Sequence, residues 1–192
     1  MEFFDTAYTG TPPWDIGRPQ KEFVELARKG EITGAVLDIG CGTGEHALFF
    51  AAEGHEVWGI DSAPLAIQKA KEKAAKRGLQ VHFLVMDALN LSRLNRKFDI
   101  ATDSGLFHTL SDEDRPVFVD NLAAILSPGG KYFMLCFSEL EPGGYGPRRI
   151  TQVEIRESFR DGWSINYIRE AVFESRTRAE GPRAWLSSIS KK

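Results

Sequence analysis

The chain has 192 residues, which is enough for one well-packed domain and too few for two ordinary ones. Its formal net charge of −3 offers no basic surface to a nucleic acid, and no apolar run approaches the ~20 residues that a membrane span needs. The N-terminus lacks a signal-peptide pattern, and Cys41 and Cys136 indicate reduced thiols of a cytoplasmic protein rather than a disulfide. We expect a single domain, as a monomer or homodimer, with neither a nucleic-acid nor a membrane partner.

The first predicted helix follows an irregular N-terminal stretch. Residues 1–18 are rich in turn-forming residues. Pro19 begins a helix and Gly30 ends it. We therefore expect residues 1–33 to be an N-terminal segment with the first helix, and residues 34–192 to be the core.

Strands and helices alternate from residue 35 to residue 137. Strands are predicted at residues 35–39, 56–60, 81–86, 98–102 and 131–137. The helices between them are predicted to end at about residue 53, to run from 62 to 78, and to run from 111 to 126. After residue 138, a capping box at Thr151 and Glu154 predicts a short helix, and strands follow at 164–174 and 183–190. This order predicts an α/β fold whose parallel sheet carries helices on both faces and ends in an antiparallel hairpin.

A glycine-rich turn after the first strand is the most informative motif. Gly40, Gly42 and Gly44 follow the strand that contains Asp38, and a helix begins at Glu45, as in a nucleotide-binding α/β unit. Glu45 occupies the third glycine position of a dinucleotide fingerprint, and its carboxylate would repel a pyrophosphate at this helix start. No Gly-Lys-Ser/Thr follows, so the turn is not a P-loop either.

Aspartates lie at the ends of the first four predicted strands: Asp38, Asp61, Asp87 and Asp103. Each alone could be a helix cap or a turn residue. Open α/β sheets bind ligands at the carboxyl ends of their strands, so four acids in register predict a ligand site. A nicotinamide cofactor is one alternative because Asp61 suits its ribose, but the missing third glycine argues against it.

Together, Asp38-x-Gly40-x-Gly42-x-Gly44 and these acids resemble the class I S-adenosylmethionine-dependent methyltransferases. The resemblance implies a Rossmann-like, mostly parallel seven-stranded sheet, with S-adenosyl-L-methionine as cofactor and S-adenosyl-L-homocysteine as product. It also implies that Asp38 helps to hold the methionyl amino group, that Asp61 binds the ribose, and that Asp87 faces the adenine amine. The implied cofactor-binding set is Trp14, Asp38, Gly40, Cys41, Gly42, Asp61, Ser62, Asp87, Ala88, Asp103 and Ser104.

Residues 13–20 (Pro-Trp-Asp-Ile-Gly-Arg-Pro-Gln) carry a second resemblance, to the thiopurine S-methyltransferase and halide/thiol methyltransferase branch. The resemblance implies that residues 1–18 form a lid segment over the cofactor, where Trp14 and Gln20 line the pocket. Trp14 could instead be a hydrophobic staple on the first helix. The Gly/Pro loop at residues 142–147 is similar to the loop of this branch after its fifth strand.

The acceptor pocket is predicted from this loop and from the segment after the fourth strand. Phe107 either walls the pocket or fills the core, and Tyr145 lies in the loop. Arg148 and Arg149 stand where the branch often has aromatic residues. If these arginines face the pocket, they favour an anionic acceptor or one with a delocalised oxygen or carboxylate; otherwise they are solvated loop charges.

His108, just after the fourth strand, is the candidate general base. A thiol acceptor ionises near physiological pH, whereas a phenol or hydroxyl needs a base more. The alternative is a histidine that packs and hydrogen-bonds within its loop. No metal is expected, because Asp112, Glu113 and Asp114 form a negatively charged helix start and no His/Cys cluster has metal-binding spacing.

These features predict an S-adenosylmethionine-dependent methyltransferase that transfers a methyl group in line to the sulfur, oxygen or nitrogen of an acceptor. The acceptor is expected to be a small molecule, because only residues 1–18 and 138–150 lie outside the core to cover it. One alternative is a cofactor-binding module or partner subunit without its own chemistry. Nucleic-acid methylation is weaker, since the chain has neither a basic surface nor an extra domain.

Overall fold

The computed structural model describes residues 2–192, with side chains from Phe4 onward. Seven strands form one sheet: β1 (Ala35–Ile39), β2 (Glu56–Asp61), β3 (His82–Val85), β4 (Phe98–Ser104), β5 (Leu126–Phe137), β6 (Trp163–Val172) and β7 (Arg183–Lys191). Their order is β3-β2-β1-β4-β5-β7-β6. Strands β1 to β5 are parallel, and β7 pairs antiparallel with both β5 and β6. The predicted α/β fold with a closing hairpin is confirmed.

The helices connect and cover these strands. They are α1 (Glu2–Ala7), α2 (Lys21–Arg28), α3 (Glu45–Ala52), α4 (Pro64–Arg77), α5 (Asp114–Ile125) and α6 (Gln152–Ser158). Short 3₁₀ helices span Ala88–Leu94 and Phe107–Thr109. The sequence pattern missed α1 and both 3₁₀ helices, because elements of one or two turns are too short for a hydrophobic period to show.

Two apolar layers sandwich the sheet. Along β5, Tyr132 and Met134 join the layer formed with α5 and α6, whereas Phe133 and Leu135 join the layer formed with α2, α3 and α4. This alternation follows from the two-residue period of a strand. Both faces of the sheet are therefore buried, and a ligand must approach an edge of the strands.

The strand order reverses between β1 and β4, which are hydrogen-bonded neighbours. In open α/β sheets a crevice forms at the carboxyl ends of the strands on either side of such a reversal. Leu106, which follows β4, has its Cβ only 3.2 Å from where a Cβ on Gly40 would stand. The glycine turn after β1 and the segment after β4 thus meet at this edge.

Candidate active site

The glycine turn (residues 40–44) joins β1 to α3 through left-handed backbone. Gly40, Gly42 and Gly44 have φ of 67°, 53° and 85°, a region that side chains other than glycine disfavour. A Cβ on Gly44 would come within 2.8 Å of the Phe83 ring. The glycines are therefore required both for the course of the backbone and for its close packing.

Asp61, at the end of β2, fastens this turn. Its Oδ2 accepts a hydrogen bond from the Gly42 amide and its Oδ1 accepts one from the Ala63 amide, each at 2.8 Å. Burial raises the pKa of this carboxyl, and the two amides act against that shift. Ala63 is the N-cap of α4, and Asp5 of the N-terminal segment accepts from the Leu65 amide in the first turn of that helix at 3.1 Å.

Asp38, inside β1, is buried with one oxygen unsatisfied. Its Oδ1 accepts from the Thr102 hydroxyl at 2.9 Å, while Oδ2 has no hydrogen-bond partner among residues 4–192. Burial, reinforced by the nearby Asp103, raises the Asp38 pKa to about 7. An orphaned buried carboxylate oxygen is costly, and a cationic ligand would relieve that cost.

Asp103, at the end of β4, contrasts with Asp38. It is fully buried and accepts from the Leu106 amide at 2.6 Å, the Phe107 amide at 2.9 Å and the Tyr132 hydroxyl at 2.8 Å. Burial raises its pKa to about 6 despite these donors. Through these hydrogen bonds, Asp103 connects strand β5 to the segment that follows β4. Its predicted direct contact with a cofactor is not supported.

The other predicted cofactor residues lie at the same edge. Cys41 is in the glycine turn, Ser62 follows β2, Asp87 and Ala88 follow β3, and Ser104 ends β4. Asp87 caps the 3₁₀ helix by accepting from the Leu89 amide at 2.9 Å. Its side chain is exposed, so an adenine amine can still reach it.

The lid segment covers the glycine turn. Tyr8, which the sequence analysis did not single out, is buried, and its hydroxyl lies 2.7 Å from where a Cβ on Gly42 would stand. That hydroxyl accepts from Trp14 Nε1 at 3.1 Å. Trp14 packs against Tyr8 and Phe4 rather than on α2, so the alternative of a hydrophobic staple is wrong.

Polar bonds hold the lid segment in this position. Asp15 accepts from the Thr43 hydroxyl at 2.9 Å, and Arg18 forms a two-bond ion pair with Glu174, each bond 2.8 Å. Gln20 exchanges two hydrogen bonds with the Glu174 backbone at 2.9 and 2.7 Å. Both polar atoms of the Gln20 side chain are thus paired with the protein backbone, and its predicted place in the cofactor pocket stays a prediction.

His108 occupies the short 3₁₀ helix after β4. The Phe137 amide donates to its Nδ1 at 3.0 Å, and its ring centroid lies 4.8 Å from that of Phe137 and 5.9 Å from that of Phe173. Burial lowers the His108 pKa to about 3, and the positive charge of Arg149 acts in the same direction. A ring that is neutral and whose Nδ1 already accepts a bond does not fit the predicted role of general base.

The loop after β5 uses its arginines internally. Arg148 pairs with Asp112 and Glu154, as a loop charge would, and its predicted role as an acceptor ligand stays a prediction. Arg149 donates to the carbonyls of Tyr145 and Pro147, and its guanidinium lies 5.3 Å from the Phe137 ring. Arg149 forms no ion pair with a carboxylate within the described residues. Its positive charge therefore acts on the nearby His108.

Phe107 and Tyr145, the two other residues predicted for the acceptor pocket, contact other side chains of the protein. Phe107 is fully buried and packs with Phe118 and Phe159, so it fills the core. The Tyr145 hydroxyl donates to Glu141, which also pairs with Arg178. Phe137 and Phe173, which the sequence did not mark, are the aromatic rings that pack beside His108.

The described residues contain neither a metal-binding cluster nor a membrane-spanning helix. Residues 4–192 contain no group of three or more His, Cys, Asp or Glu side chains that could hold a metal ion. Within the part of the chain that the structure describes, no helix is both long and apolar enough to cross a membrane.

Known proteins resemble this chain over most of its length. A family model described as a methyltransferase domain matches residues 36–130. The chain is 36% identical over 182 residues to a 2-heptyl-1-hydroxyquinolin-4(1H)-one methyltransferase of Mycobacteroides abscessus, covering 89% of this chain and 80% of that protein.

This chain belongs to the S-adenosylmethionine-dependent methyltransferases. A structure solved in work on the conversion of a disulfide bond into a thioacetal group during echinomycin biosynthesis superposes with a TM-score of 0.91, at 34% identity, over 100% of this chain and 92% of that one. An Arabidopsis thaliana protein named Probable thiol methyltransferase 2 is 28% identical over 148 residues, 76% of this chain and 65% of that protein. This last relative gives modest support to the predicted branch.

The predictions of an enzyme and of S-adenosylmethionine as its cofactor are confirmed. The alternatives of a nicotinamide-binding protein and of a binding module without chemistry are thereby set aside. The residues of this methyltransferase fit the cofactor, because the orphaned oxygen of Asp38 suits a methionyl ammonium.

Proposed function

We propose that this methyltransferase methylates an acidic oxygen on a small planar heterocycle. The observation that carries the proposal is the set of rings beside Gly105, where the His108 imidazole packs against Phe137 and Phe173, which also contact each other. Flat apolar walls with one polar atom among them suit a planar aromatic acceptor that bears a single reactive oxygen. The M. abscessus relative, by its name, acts on a hydroxyquinolinone.

The cofactor binds along the ends of β1 to β3. Asp38 accepts from the methionyl ammonium, Asp61 from the ribose hydroxyls, and Asp87 from the adenine amine, with Ala88 against the ring. S-Adenosylmethionine, when bound, supplies a methyl group on a positively charged sulfur. The unpartnered oxygen of Asp38 supports this arrangement, since a donor on the ligand would satisfy it.

The lid segment and the aromatic rings provide the remaining contribution. Tyr8 and Trp14 cover the glycine turn and exclude water from it. Phe137 and Phe173 orient the acceptor, so that its reacting atom approaches in line with the methyl group. Alignment of this kind is the main source of rate when the leaving group is already good.

A sulfur acceptor is the second candidate. It is favoured by the thiol methyltransferase relative and by the solved structure that concerns a disulfide. A thiolate would use the same in-line geometry and the same rings.

We also infer that the protein acts in the cytoplasm as a single-domain monomer or homodimer without a nucleic-acid partner. The net charge of −3 and the two buried free thiols support this inference. Light scattering after size exclusion would measure the oligomeric state.

Conversion of S-adenosylmethionine to S-adenosylhomocysteine tests the proposed function. We expect the highest kcat/KM with hydroxyquinolones, lower values with phenols and thiols, and the lowest with halides and thiopurines. Asp38→Asn should abolish turnover, while Asp120→Asn, on the exposed face of α5, is the matched control and should not. Tight binding of the cofactor without turnover of any acceptor would contradict the proposal.

A further inference from the structure

The His108 ring stands at the carboxyl end of β4. A Cβ on Gly105, the residue directly after β4, would lie 3.5 Å from both Cε1 and Nε2 of His108. Gly105 has a φ of 93° and its amide donates to the Leu135 carbonyl at 2.9 Å, which fixes the backbone beside the ring. The Cε1–Nε2 edge of the imidazole therefore lies beside Gly105, at the carboxyl end of β4.

The hydrogen bond at the opposite nitrogen determines which nitrogen carries the proton. A backbone amide can only donate, so the bond from Phe137 N to Nδ1, at 3.0 Å, requires a bare Nδ1. A neutral imidazole then has its hydrogen on Nε2. Nε2 has no hydrogen-bond partner among the described residues. It is also not among their fully buried polar atoms that lack a partner, so this N–H is accessible to a ligand.

The surroundings of the ring favour an anion over a proton. Phe137 and Phe173 pack on the imidazole, and Arg149 is the charged group that acts on it. Arg149 is satisfied by carbonyl oxygens, which do not cancel its charge. A second positive charge on His108 is disfavoured there, whereas a negatively charged oxygen would be attracted by both groups.

We propose that His108 is an oxyanion-binding donor rather than a base: its Nε2–H binds the reacting oxygen of an acceptor that enters the site already ionised. This inference rests on the proposed function. The proton of the acceptor leaves to water before binding. In the transfer, the acceptor oxygen forms the new bond to the methyl carbon while the carbon–sulfur bond breaks and its electron pair stays on sulfur. No proton moves onto the protein.

The pH profile of kcat/KM distinguishes a donor from a base. Two hydroxyquinolones that differ in acidity by about two pKa units should show acidic limbs that differ by the same amount, since only the ionised acceptor reacts. The profile is measured at saturating S-adenosylmethionine, so that Asp38 and cofactor binding do not contribute; a limb that then stays at one pH for both acceptors would overturn the proposal, because it would belong to a protein base.

Three variants separate donation from packing. His108→Gln keeps an N–H donor but cannot act as a base, and we expect it to retain kcat/KM within about tenfold of the wild type. His108→Leu keeps apolar bulk without a donor, and we expect a loss of about 10- to 100-fold, the effect of one hydrogen bond to a charged group. His55→Gln, at the far end of the sheet, is the control. Equal losses in the Gln and Leu variants would overturn the proposal.

Two measurements do not depend on turnover. Nitrogen-15 NMR of histidine-labelled protein should find the His108 proton on Nε2, with no titration between pH 5 and pH 8; the opposite tautomer, or a titration near pH 6.5, would overturn the proposal. Binding of the acceptor to the enzyme–S-adenosylhomocysteine complex should strengthen as the acceptor ionises, and His108→Leu should remove this preference. If that binding is seen but no acceptor is methylated, the proposed function fails while this inference stands.

Discussion

Asp38 and Asp103 lie on neighbouring strands, β1 and β4, and both are buried, but their surroundings differ. Asp103 accepts bonds from two backbone amides and from the Tyr132 hydroxyl, whereas Asp38 accepts one from Thr102 and leaves Oδ2 without a partner in the described residues. Asp103 therefore stabilises the fold, and Asp38 is available for a ligand. The number of protein donors around a carboxylate separates the two roles, although both acids lie at a strand end.

Removing Asp103 should have the largest effect on stability. Asp103→Ala leaves the Leu106 and Phe107 amides and the Tyr132 hydroxyl buried without an acceptor, which should cost about 3 kcal/mol or more of unfolding free energy. Urea unfolding measures this cost. Asp120→Ala, an exposed change on α5, is the control, and equal stability of the two variants would contradict the structural role.

Neutralising Asp38 should act on binding instead. We expect Asp38→Asn to weaken S-adenosylhomocysteine binding about 100-fold by calorimetry at pH 8, since a buried charge pair with the ammonium is lost. The unfolding free energy of the unliganded variant should not fall, because the lost charge has an unsatisfied oxygen. An affinity within about threefold of the wild type would assign the ammonium to another group.

The affinity for S-adenosylhomocysteine should depend on pH through Asp38. Burial raises the Asp38 pKa to about 7, and only the ionised carboxylate attracts the ammonium. The affinity should therefore fall up to about tenfold for each pH unit below 7 and level off above it. Calorimetry between pH 6 and pH 8 tests this dependence, and Asp38→Asn should flatten it. A flat wild-type curve would contradict the assigned pKa.

The stability of the unliganded protein should also depend on pH through Asp38, together with Asp103. Unlike the affinity for S-adenosylhomocysteine, it should decrease as the pH rises. The pKa values of Asp38 and Asp103, about 7 and about 6, exceed those of unfolded aspartates, so the folded state holds protons that the unfolded state releases. These two groups therefore lower the unfolding free energy as pH rises from about 4 through 7. Thermal unfolding at pH 5 and pH 8 measures the change, which Asp38→Asn should reduce. An identical difference in that variant would exclude Asp38 as a source.

The smallest effect should come from the lid segment's surface pair. Arg18 is exposed, and such ion pairs contribute about 0–1 kcal/mol, so Arg18→Ala should weaken S-adenosylhomocysteine binding less than about fivefold. A titration in 50 mM and 500 mM salt would compare the variant with Arg160→Ala. A much larger loss would mean that this one pair alone controls the position of the lid segment.

The fold was predictable because its signals are local. Five-residue stretches rich in apolar residues marked β1, β2 and β4, the glycines marked the turn before α3, and the capping box of Thr151 and Glu154 formed as predicted. The family resemblance rests on the same short motifs. The helix α1 and the buried Tyr8 escaped prediction, because six residues show no clear period and the contacts that bury Tyr8 include α4 and the glycine turn, which are distant in sequence.

Sequence alone established the sheet, the glycine turn and the cofactor class, since each depends on residues within a few positions of one another. The tertiary structure decided what the polar side chains do. His108 receives the Phe137 amide from 29 residues away, Asp103 receives Tyr132 from 29 residues away, and Gln20 pairs with Glu174 across 154 residues. The donors and acceptors that a side chain can offer to a ligand are those that distant partners in the protein leave unpaired. For that reason we assign His108 as a hydrogen-bond donor to the acceptor and Asp103 as a residue that stabilises the fold.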